Sequence, residues 1–219
     1  MSVEGINGVG KTDAVVGTAA ALGPRCLRLD EVTDKAGDTL PGQVVAALSA
    51  DGDVFLRTGH PVAETLTLLA LKVREFEQLT AGDLAGVDIV LEDRGVDTTA
   101  VYQAVILAAQ YPGTDMLALA ERILATTARW RPLPDATVLL TGDRRLCTAR
   151  FAARAERVFS ALDHQMFAQA EALYVELARA HPERFTILDV TGYSREETTQ
   201  ALTQTVQGLL RTPEAVHAP

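Results

Sequence analysis

The most informative part of the sequence is a glycine-rich segment that ends in a lysine and a threonine. Residues 5–12 read Gly-Ile-Asn-Gly-Val-Gly-Lys-Thr and lie between a short apolar segment and a predicted helix. Glycines at this spacing let backbone amides curl around phosphate oxygens, and the positive end of the following helix adds to the attraction. Lys11 would reach the terminal phosphates of a nucleotide, and the Thr12 hydroxyl would hold Mg²⁺. The nucleotide-binding residues predicted by this phosphate-binding loop (P-loop) are Asn7, Gly8, Val9, Gly10, Lys11 and Thr12.

A second group of candidate residues follows the apolar segment 87–91, which we predict to be a buried strand. Asp93 and Arg94 come next, and in an open α/β sheet the carboxyl ends of such strands border the ligand site. Asp93 would bind Mg²⁺ or its water ligands. Arg94 would bind a phosphate of the acceptor, because a guanidinium matches two phosphate oxygens at once. The alternative is an ion pair at the surface end of the strand.

The third group is a series of arginines between residues 144 and 157. Arg150, Arg154 and Arg157 fall on one face of a predicted helix, where like charges repel unless an anion neutralises them. A lid over residues 142–160 that brings Arg150 and Arg154 onto the transferring phosphoryl group would explain this spacing, because phosphoryl transfer is catalysed mainly by positioning and charge neutralisation. A solvated basic face is the alternative.

Short apolar segments alternate with long amphipathic ones, which is typical of a parallel sheet covered by helices. The predicted strands span residues 2–4, 26–29, 87–91, 137–140 and 185–190. The predicted helices span about residues 10–22, 41–50, 97–110, 115–127 and 194–210, with one more starting at Pro61 and two between 144 and 180. The sequence thus predicts an α/β fold with a single domain over residues 1–210 and a flexible tail over 211–219.

Composition narrows the class of protein. The chain has 219 residues, of which 47% are hydrophobic and 22% charged, as in ordinary globular domains. Its net charge of -9 argues against general binding to nucleic acid or to anionic membranes. Two cysteines, Cys26 and Cys147, supply neither a disulfide framework nor a thiolate metal site, and no apolar run has membrane-spanning length, so we expect a cytoplasmic protein. Trp130, in the connector before the fourth strand, is predicted to anchor packing.

These motifs resemble those of the thymidylate kinase family, P-loop enzymes that phosphorylate nucleoside monophosphates. Residues 4–12 are similar to the family's E-G-x-D-G-x-G-K-[ST], and residues 93–103 to its D-R-Y-x-D-S-[ST]-x-A-Y-Q. Segments 134–140 and 167–174, with Asp189, extend the similarity over almost the whole chain. The resemblance implies a three-layer P-loop NTPase fold with a five-stranded parallel sheet. It also implies transfer of the γ-phosphoryl group of ATP to a (deoxy)nucleoside 5′-monophosphate, dependence on Mg²⁺, and a homodimer.

The resemblance also implies roles for individual residues. It assigns Lys11 and Thr12 to ATP and the metal ion, and Arg94 to the acceptor phosphate. Three residues of the following helix would lie near the acceptor's sugar and base: Thr98, Tyr102 and Gln103. From the residues alone, ordinary helix surface is the alternative for Tyr102 and Gln103.

The sequence departs from the family pattern in the half that binds the acceptor. Asn7 replaces the P-loop aspartate, and the R-E-P-G-G-T segment after the second strand is absent. On the third helix, Leu68 replaces a base-stacking phenylalanine, and Lys72 replaces an arginine and would meet the phosphate as a point charge. We therefore expect phosphoryl transfer to thymidylate or to a related or modified nucleotide. Two alternatives stay open, namely a kinase of a nucleoside or another small molecule, and a nucleotide-binding protein without catalysis.

Overall fold

The computed structural model of the protein describes residues 1–34, 37–49 and 52–211. Within these residues, one sheet of five strands is flanked by eight α-helices. The strands are β1 (Ser2–Glu4), β2 (Cys26–Leu29), β3 (Ile89–Asp93), β4 (Thr137–Thr141) and β5 (Phe185–Asp189). The helices are α1 (Lys11–Leu22), α2 (Leu40–Leu48), α3 (Pro61–Glu77), α4 (Val96–Gln110), α5 (Met116–Thr127), α6 (Arg144–Arg154), α7 (Ala161–Ala180) and α8 (Arg195–Arg211).

The strands of the sheet are all parallel and follow the order β2-β3-β1-β4-β5. β1 lies in the centre, where Val3 pairs with Asp93 of β3 on one side and with Val138 of β4 on the other. Parallel strands need long crossovers, which the helices supply. α1 packs on α8, whereas α4 packs on α3, α5 and α7. The predicted five-stranded parallel sheet with flanking helices is confirmed, and the carboxyl ends of β1 and β3 lie side by side.

The predicted elements are found within one or two residues of their expected ends. The largest shift is in β3, predicted at 87–91 and observed at Ile89–Asp93. The ladder with β1 pairs Ser2 with Glu92 and Val3 with Asp93, so both carboxylates belong to the strand. At the other end of the chain, Arg211 is the last residue of α8 instead of the first residue of a tail. The rest of the predicted tail, 212–219, lies outside the described residues.

The core is built from continuous apolar segments on the central strands. Leu91, Leu139 and Leu140 are buried, as expected for parallel strands covered on both faces. α4 is buried along most of its length because three helices surround it, so its sequence has apolar residues on every side. Among the helices of the described residues, none has both the length and the hydrophobicity needed to traverse a bilayer.

A buried ion pair attaches the connector before β4 to the sheet. Trp130 is 70% exposed, so the prediction that it anchors packing is wrong; its neighbour Arg131 is buried instead. The guanidinium of Arg131 donates to both carboxylate oxygens of Glu92, at 2.6 and 3.2 Å. It also lies 4.9 Å from the ring centroid of Phe76 on α3. The connector, β3 and α3 are thus joined at one point.

We expect Arg131→Met to lower the free energy of unfolding by about 3–5 kcal/mol, because it leaves the Glu92 carboxylate buried without a counterion. Urea denaturation followed by circular dichroism measures the change. Arg129→Met, which alters an exposed arginine two residues away, is the matched control and should change stability by less than about 0.5 kcal/mol. The double variant Arg131→Met/Glu92→Leu should recover much of the loss. Equal stability of Arg131→Met and the wild type would contradict this account of the pair.

Candidate active site

The loop between β1 and α1 wraps around the ammonium of its own lysine. Gly8 and Gly10 have φ angles of 83° and 101°, a region that favours glycine. A Cβ on Gly8 would lie 2.0 Å from the carbonyl oxygen of Cys147, so only glycine lets the loop approach α6 this closely. Lys11 is buried, and its Nζ donates to two carbonyl oxygens of the loop, at 2.9 and 2.8 Å. The predicted phosphate-binding loop therefore holds its cation in a fixed position.

The buried position of Lys11 changes its protonation. Burial, assisted by the positive charge of Arg94, lowers the pKa of Lys11 to about 7, although Glu31 and Asp93 oppose the shift. Near neutral pH the ammonium of Lys11 is therefore only partly charged while no phosphate is bound. A phosphate placed against it would restore the positive charge.

The residues predicted to bind a metal ion meet at the carboxyl end of β3. Burial raises the pKa of Asp93, and the neighbouring Thr12 hydroxyl and Lys11 ammonium oppose that shift. Asp93 Oδ1 is buried and has no hydrogen-bond partner among the described residues. A buried carboxylate oxygen without a donor, beside a hydroxyl, fits a hard cation such as Mg²⁺. In the part of the chain that the structure describes, no cluster of three or more His, Cys, Asp or Glu side chains could hold a metal ion.

Arg94 leaves β3 with a left-handed backbone, at φ 60°. Such a conformation is unfavourable for a residue other than glycine, and here Lys72 Nζ donates to the Arg94 carbonyl oxygen at 2.5 Å. The guanidinium donates to Asn7 Oδ1 through Nη2 and to the Gly5 carbonyl oxygen, at 3.4 Å, through Nη1. Arg94 Nε lies 3.0 Å from Glu31 Oε2, an ion pair without hydrogen-bond alignment. The predicted phosphate ligand thus bridges the P-loop and the loop after β2.

A pocket opens beside Arg94, between the P-loop, the 52–58 segment, α3 and α4. The predicted acceptor residues all line it: Asn7, Lys72, Arg94, Thr98, Tyr102 and Gln103. Tyr102 and Gln103 are buried, so the alternative of ordinary helix surface is wrong for both. The Thr98 hydroxyl donates to a carboxylate oxygen of Glu4 and lies 2.8 Å from the Tyr174 hydroxyl, so α4 is attached to the base of the P-loop.

Phe55 is a pocket residue that the sequence analysis missed. Its ring stacks on that of Tyr102, with centroids 6.3 Å apart and an angle of 22° between the planes. The same ring packs edge-on against Phe167 at 5.2 Å and Phe151 at 6.3 Å. The pocket therefore has an aromatic wall on the 52–58 segment, although α3 contributes Leu68 in place of a phenylalanine. The signal in the sequence was the apolar triplet Val-Phe-Leu at 54–56 within a polar segment.

Of the three arginines predicted to share one helical face, two lie on α6 and one lies beyond its end. α6 ends at Arg154, so Arg150 and Arg154 are helical but Arg157 is not, and the prediction of a shared helical face fails for Arg157. Burial raises the pKa of Cys147, and the charge of Arg150 opposes that shift. The Arg150 charge therefore lies near Cys147, the α6 residue whose carbonyl oxygen Gly8 of the P-loop approaches. Arg154 lies over the ring of Phe151 at 5.4 Å. Neither Arg150 nor Arg154 forms an ion pair within residues 1–34, 37–49 and 52–211, so both can meet an anion.

Known proteins resemble this chain in sequence and in fold. The sequence model of the thymidylate kinase family matches residues 3–201. The thymidylate kinase of Bifidobacterium longum subsp. infantis is 30% identical over 213 residues, which cover 96% of this chain and 87% of that protein. That of Cutibacterium acnes is 31% identical over 214 residues, which cover 94% and 95% of the two chains.

Solved structures give the same fold. The crystal structure of thymidylate kinase from Ehrlichia chaffeensis superposes with a TM-score of 0.64 at 19% identity, over 95% of this chain and 96% of that chain. The thymidylate kinase of Candida albicans, described as having broad substrate specificity, superposes with a TM-score of 0.66 at 16% identity, over 95% and 90%. The P-loop NTPase fold predicted from the sequence is confirmed.

The lowered pKa of Lys11 predicts that nucleotide binding takes up a proton. With a pKa of about 7, Lys11 is mostly neutral at a pH one unit higher, and a bound polyphosphate returns it to the charged form. Binding of Mg²⁺-ATP should therefore take up about one proton per site near pH 8 and far less near pH 6, where Lys11 is already protonated.

Titration calorimetry at one pH in two buffers of different ionisation enthalpy measures this uptake. Lys11→Arg, whose side chain stays charged at both pH values, is the control and should lose the proton uptake. Equal binding heats in the two buffers near pH 8 for the wild type would show that Lys11 is already charged in the free protein.

Proposed function

Because the chain belongs to the thymidylate kinase family, we propose that it transfers the γ-phosphoryl group of ATP to thymidylate (dTMP), giving dTDP and ADP. The observation that carries this proposal is the pocket beside the P-loop, lined by every residue expected to bind the acceptor. Arg94 touches both the P-loop and this pocket, so an acceptor phosphate held there would face the terminal phosphate of ATP.

In the reaction, a phosphate oxygen of the acceptor bonds to the γ-phosphorus of ATP while the bond between that phosphorus and the β-phosphate oxygen breaks. Lys11 and the P-loop amides would hold the β- and γ-phosphates, and Arg94 would orient the attacking phosphate. Arg150 and Arg154 on α6 would neutralise charge on the transferring group. Thr12 and Asp93 would hold Mg²⁺, which when bound neutralises the phosphates of ATP.

The remaining pocket residues would select the acceptor. Tyr102 and Phe55 offer a stacked pair of rings against which a base can pack, and Gln103 lies on the same wall, 2.9 Å from the Thr65 hydroxyl. The Lys72 ammonium donates a hydrogen bond to the Arg94 carbonyl oxygen. We therefore assign Lys72 two roles, namely holding Arg94 in position and adding positive charge near the phosphate.

We further propose that residues 1–210 act as one catalytic domain with a lid at 142–160, and that the protein is a cytoplasmic homodimer. Val62, Leu66 and Ala70 support a dimer, because they form an apolar stripe at successive turns of α3 that is exposed within the described residues. The cysteines Cys26 and Cys147 are both free, which suits a reducing compartment.

The proposed acceptor is tested with Mg²⁺-ATP and a panel of dTMP, dUMP, dCMP, UMP, AMP, GMP and thymidine, with ADP formation as the signal. We expect dTMP to be the best acceptor. Lys11→Ala should lower turnover by a factor of about 10²–10³, because charge stabilisation in the transition state is lost, while circular dichroism remains unchanged.

Other outcomes would favour the alternatives. Turnover of thymidine by both the wild type and Arg94→Ala would indicate a nucleoside kinase, because such an acceptor has no phosphate for Arg94 to bind. Binding of ATP without turnover of any acceptor would indicate a nucleotide-binding protein without catalysis.

The proposed dimer is tested with Leu66→Glu, which places a charge in the middle of the α3 stripe. We expect the wild type to sediment as a dimer and Leu66→Glu as a monomer at the same concentration, because burying an unpaired carboxylate is unfavourable. Leu84→Glu is the control, since Leu84 is exposed but lies outside α3. A monomeric wild type, or a Leu66→Glu variant that stays dimeric, would show that the stripe does not form the interface.

A further inference from the structure

Three basic side chains lie close together where the pocket meets the P-loop, and Glu31 is the carboxylate that pairs with Arg94 there, whereas Lys72 pairs with Glu75 at 3.2 Å. Lys11, Lys72 and Arg94 are all buried, and Glu31 Oε2 lies 3.0 Å from Arg94 Nε. Burial alone would raise the pKa of Glu31, but the charges of Arg94 and Lys11, a hydrogen bond with the Thr33 side chain and the charge of Lys72 outweigh burial and hold its pKa below the ordinary value. Glu31 is therefore ionised near neutral pH and pairs with Arg94, while Lys11 and Lys72 lie close enough to act on its charge.

Glu31 occupies the side of the Arg94 guanidinium where a phosphate oxygen would bind. A guanidinium binds phosphate through two parallel N–H groups. Nη1 and Nη2 face neutral oxygens of Gly5 and Asn7, which an anion can replace at little electrostatic cost. Nε faces the Glu31 carboxylate, yet its N–H has no aligned acceptor among the described residues. The Glu31 carboxylate thus places a negative charge beside Arg94 Nε but accepts no hydrogen bond from it.

Glu31 lies on a connecting segment where a change of position is possible. The ladder between β2 and β3 ends with Leu29 paired to Glu92, and a short 3-10 helix follows at Val32–Asp34. Its carboxylate can therefore leave Arg94 without breaking a strand pair. The cation cluster also has no carboxylate from the P-loop, because position 7 is an asparagine.

We propose that Glu31 is the internal counterion of the acceptor-phosphate subsite, and that an acceptor phosphate binds by displacing its carboxylate from Arg94. This inference rests on the proposed function for the assignment of the pocket to an acceptor. A phosphate dianion brings two negative charges to Arg94 where Glu31 brings one, whereas a neutral nucleoside leaves the Arg94–Glu31 ion pair in place. Glu31 is thus a specificity-determining residue that opposes the binding of a phosphate, because the two anions repel each other within the same cluster.

The test compares the wild type with Glu31→Gln, which removes the charge and keeps the shape. Calorimetry without turnover measures the binding of dTMP, of thymidine and of inorganic phosphate, the last with Mg²⁺-ADP saturating the P-loop. We expect Glu31→Gln to bind dTMP and inorganic phosphate about tenfold more tightly and thymidine with unchanged affinity. Glu31→Asp, whose shorter side chain draws the carboxylate away from Arg94, should give a smaller change in the same direction and serves if Glu31→Gln is unstable.

Asp30→Asn is the matched control, because it removes one charge from the adjacent residue, where the carboxylate forms an exposed pair with Arg28 at 2.8 Å. It should leave all three affinities unchanged. If a folded Glu31→Gln binds inorganic phosphate as the wild type does, or more weakly, the counterion proposal is wrong and Glu31 instead positions Arg94. If neither protein binds dTMP while the variant gains affinity for inorganic phosphate, the counterion proposal holds and the thymidylate proposal fails.

Discussion

The burial of the Arg94 guanidinium is the constraint on which the rest of the site depends. A buried cation is unfavourable unless its donors are satisfied and its charge is compensated, and the partners of Arg94 come from separate parts of the chain. The P-loop supplies a carbonyl oxygen and Asn7, the segment after β2 supplies Glu31, and α3 supplies Lys72 to the strained backbone. Arg94 contacts the P-loop, the segment after β2 and Lys72 of α3. These contacts fix the arrangement of the three elements around the carboxyl end of β3.

A second buried group, Glu4, attaches the helices of the pocket to the same place. Its carboxyl accepts from the Gly95 amide at 2.7 Å and from the Thr98 hydroxyl, and the Tyr174 hydroxyl lies 3.3 Å away. Burial, together with the charge of Asp97, raises the pKa of Glu4 to about 7. Glu4 precedes the P-loop directly, so α4 and α7 are aligned with the phosphate-binding loop through a single side chain.

Local patterns in the sequence were sufficient for the strands, the helices and the P-loop, because each depends on residues close in the chain. They were insufficient where a distant partner decides the outcome. Arg131 is buried, and its neighbour Trp130 exposed, because Glu92 on β3 needs a counterion. The end of α6 before Arg157 was missed for a local reason instead, because Glu156 adopts a left-handed backbone at φ 52°, which ends the helix. Nothing in the sequence indicated a role for Glu31, because the segment after β2 has no periodicity and Arg94, the partner of Glu31, lies over 60 residues away in the chain.

The aromatic residues join the pocket beside Arg94 to α6 and α7 in one packed cluster. Phe55 contacts Tyr102 in the pocket, and it also contacts Phe151 on α6 and Phe159 just beyond it. Phe167 on α7 also packs against Phe55, Phe151 and Phe159, so close packing on α6 and α7 holds the Phe55 ring in place. The pocket wall formed by Phe55 therefore packs directly against α6, the helix that carries Arg150 and Arg154. α3 contributes Leu68 to the pocket, so under the proposed function the aromatic surface available to an acceptor base comes from Phe55 and Tyr102.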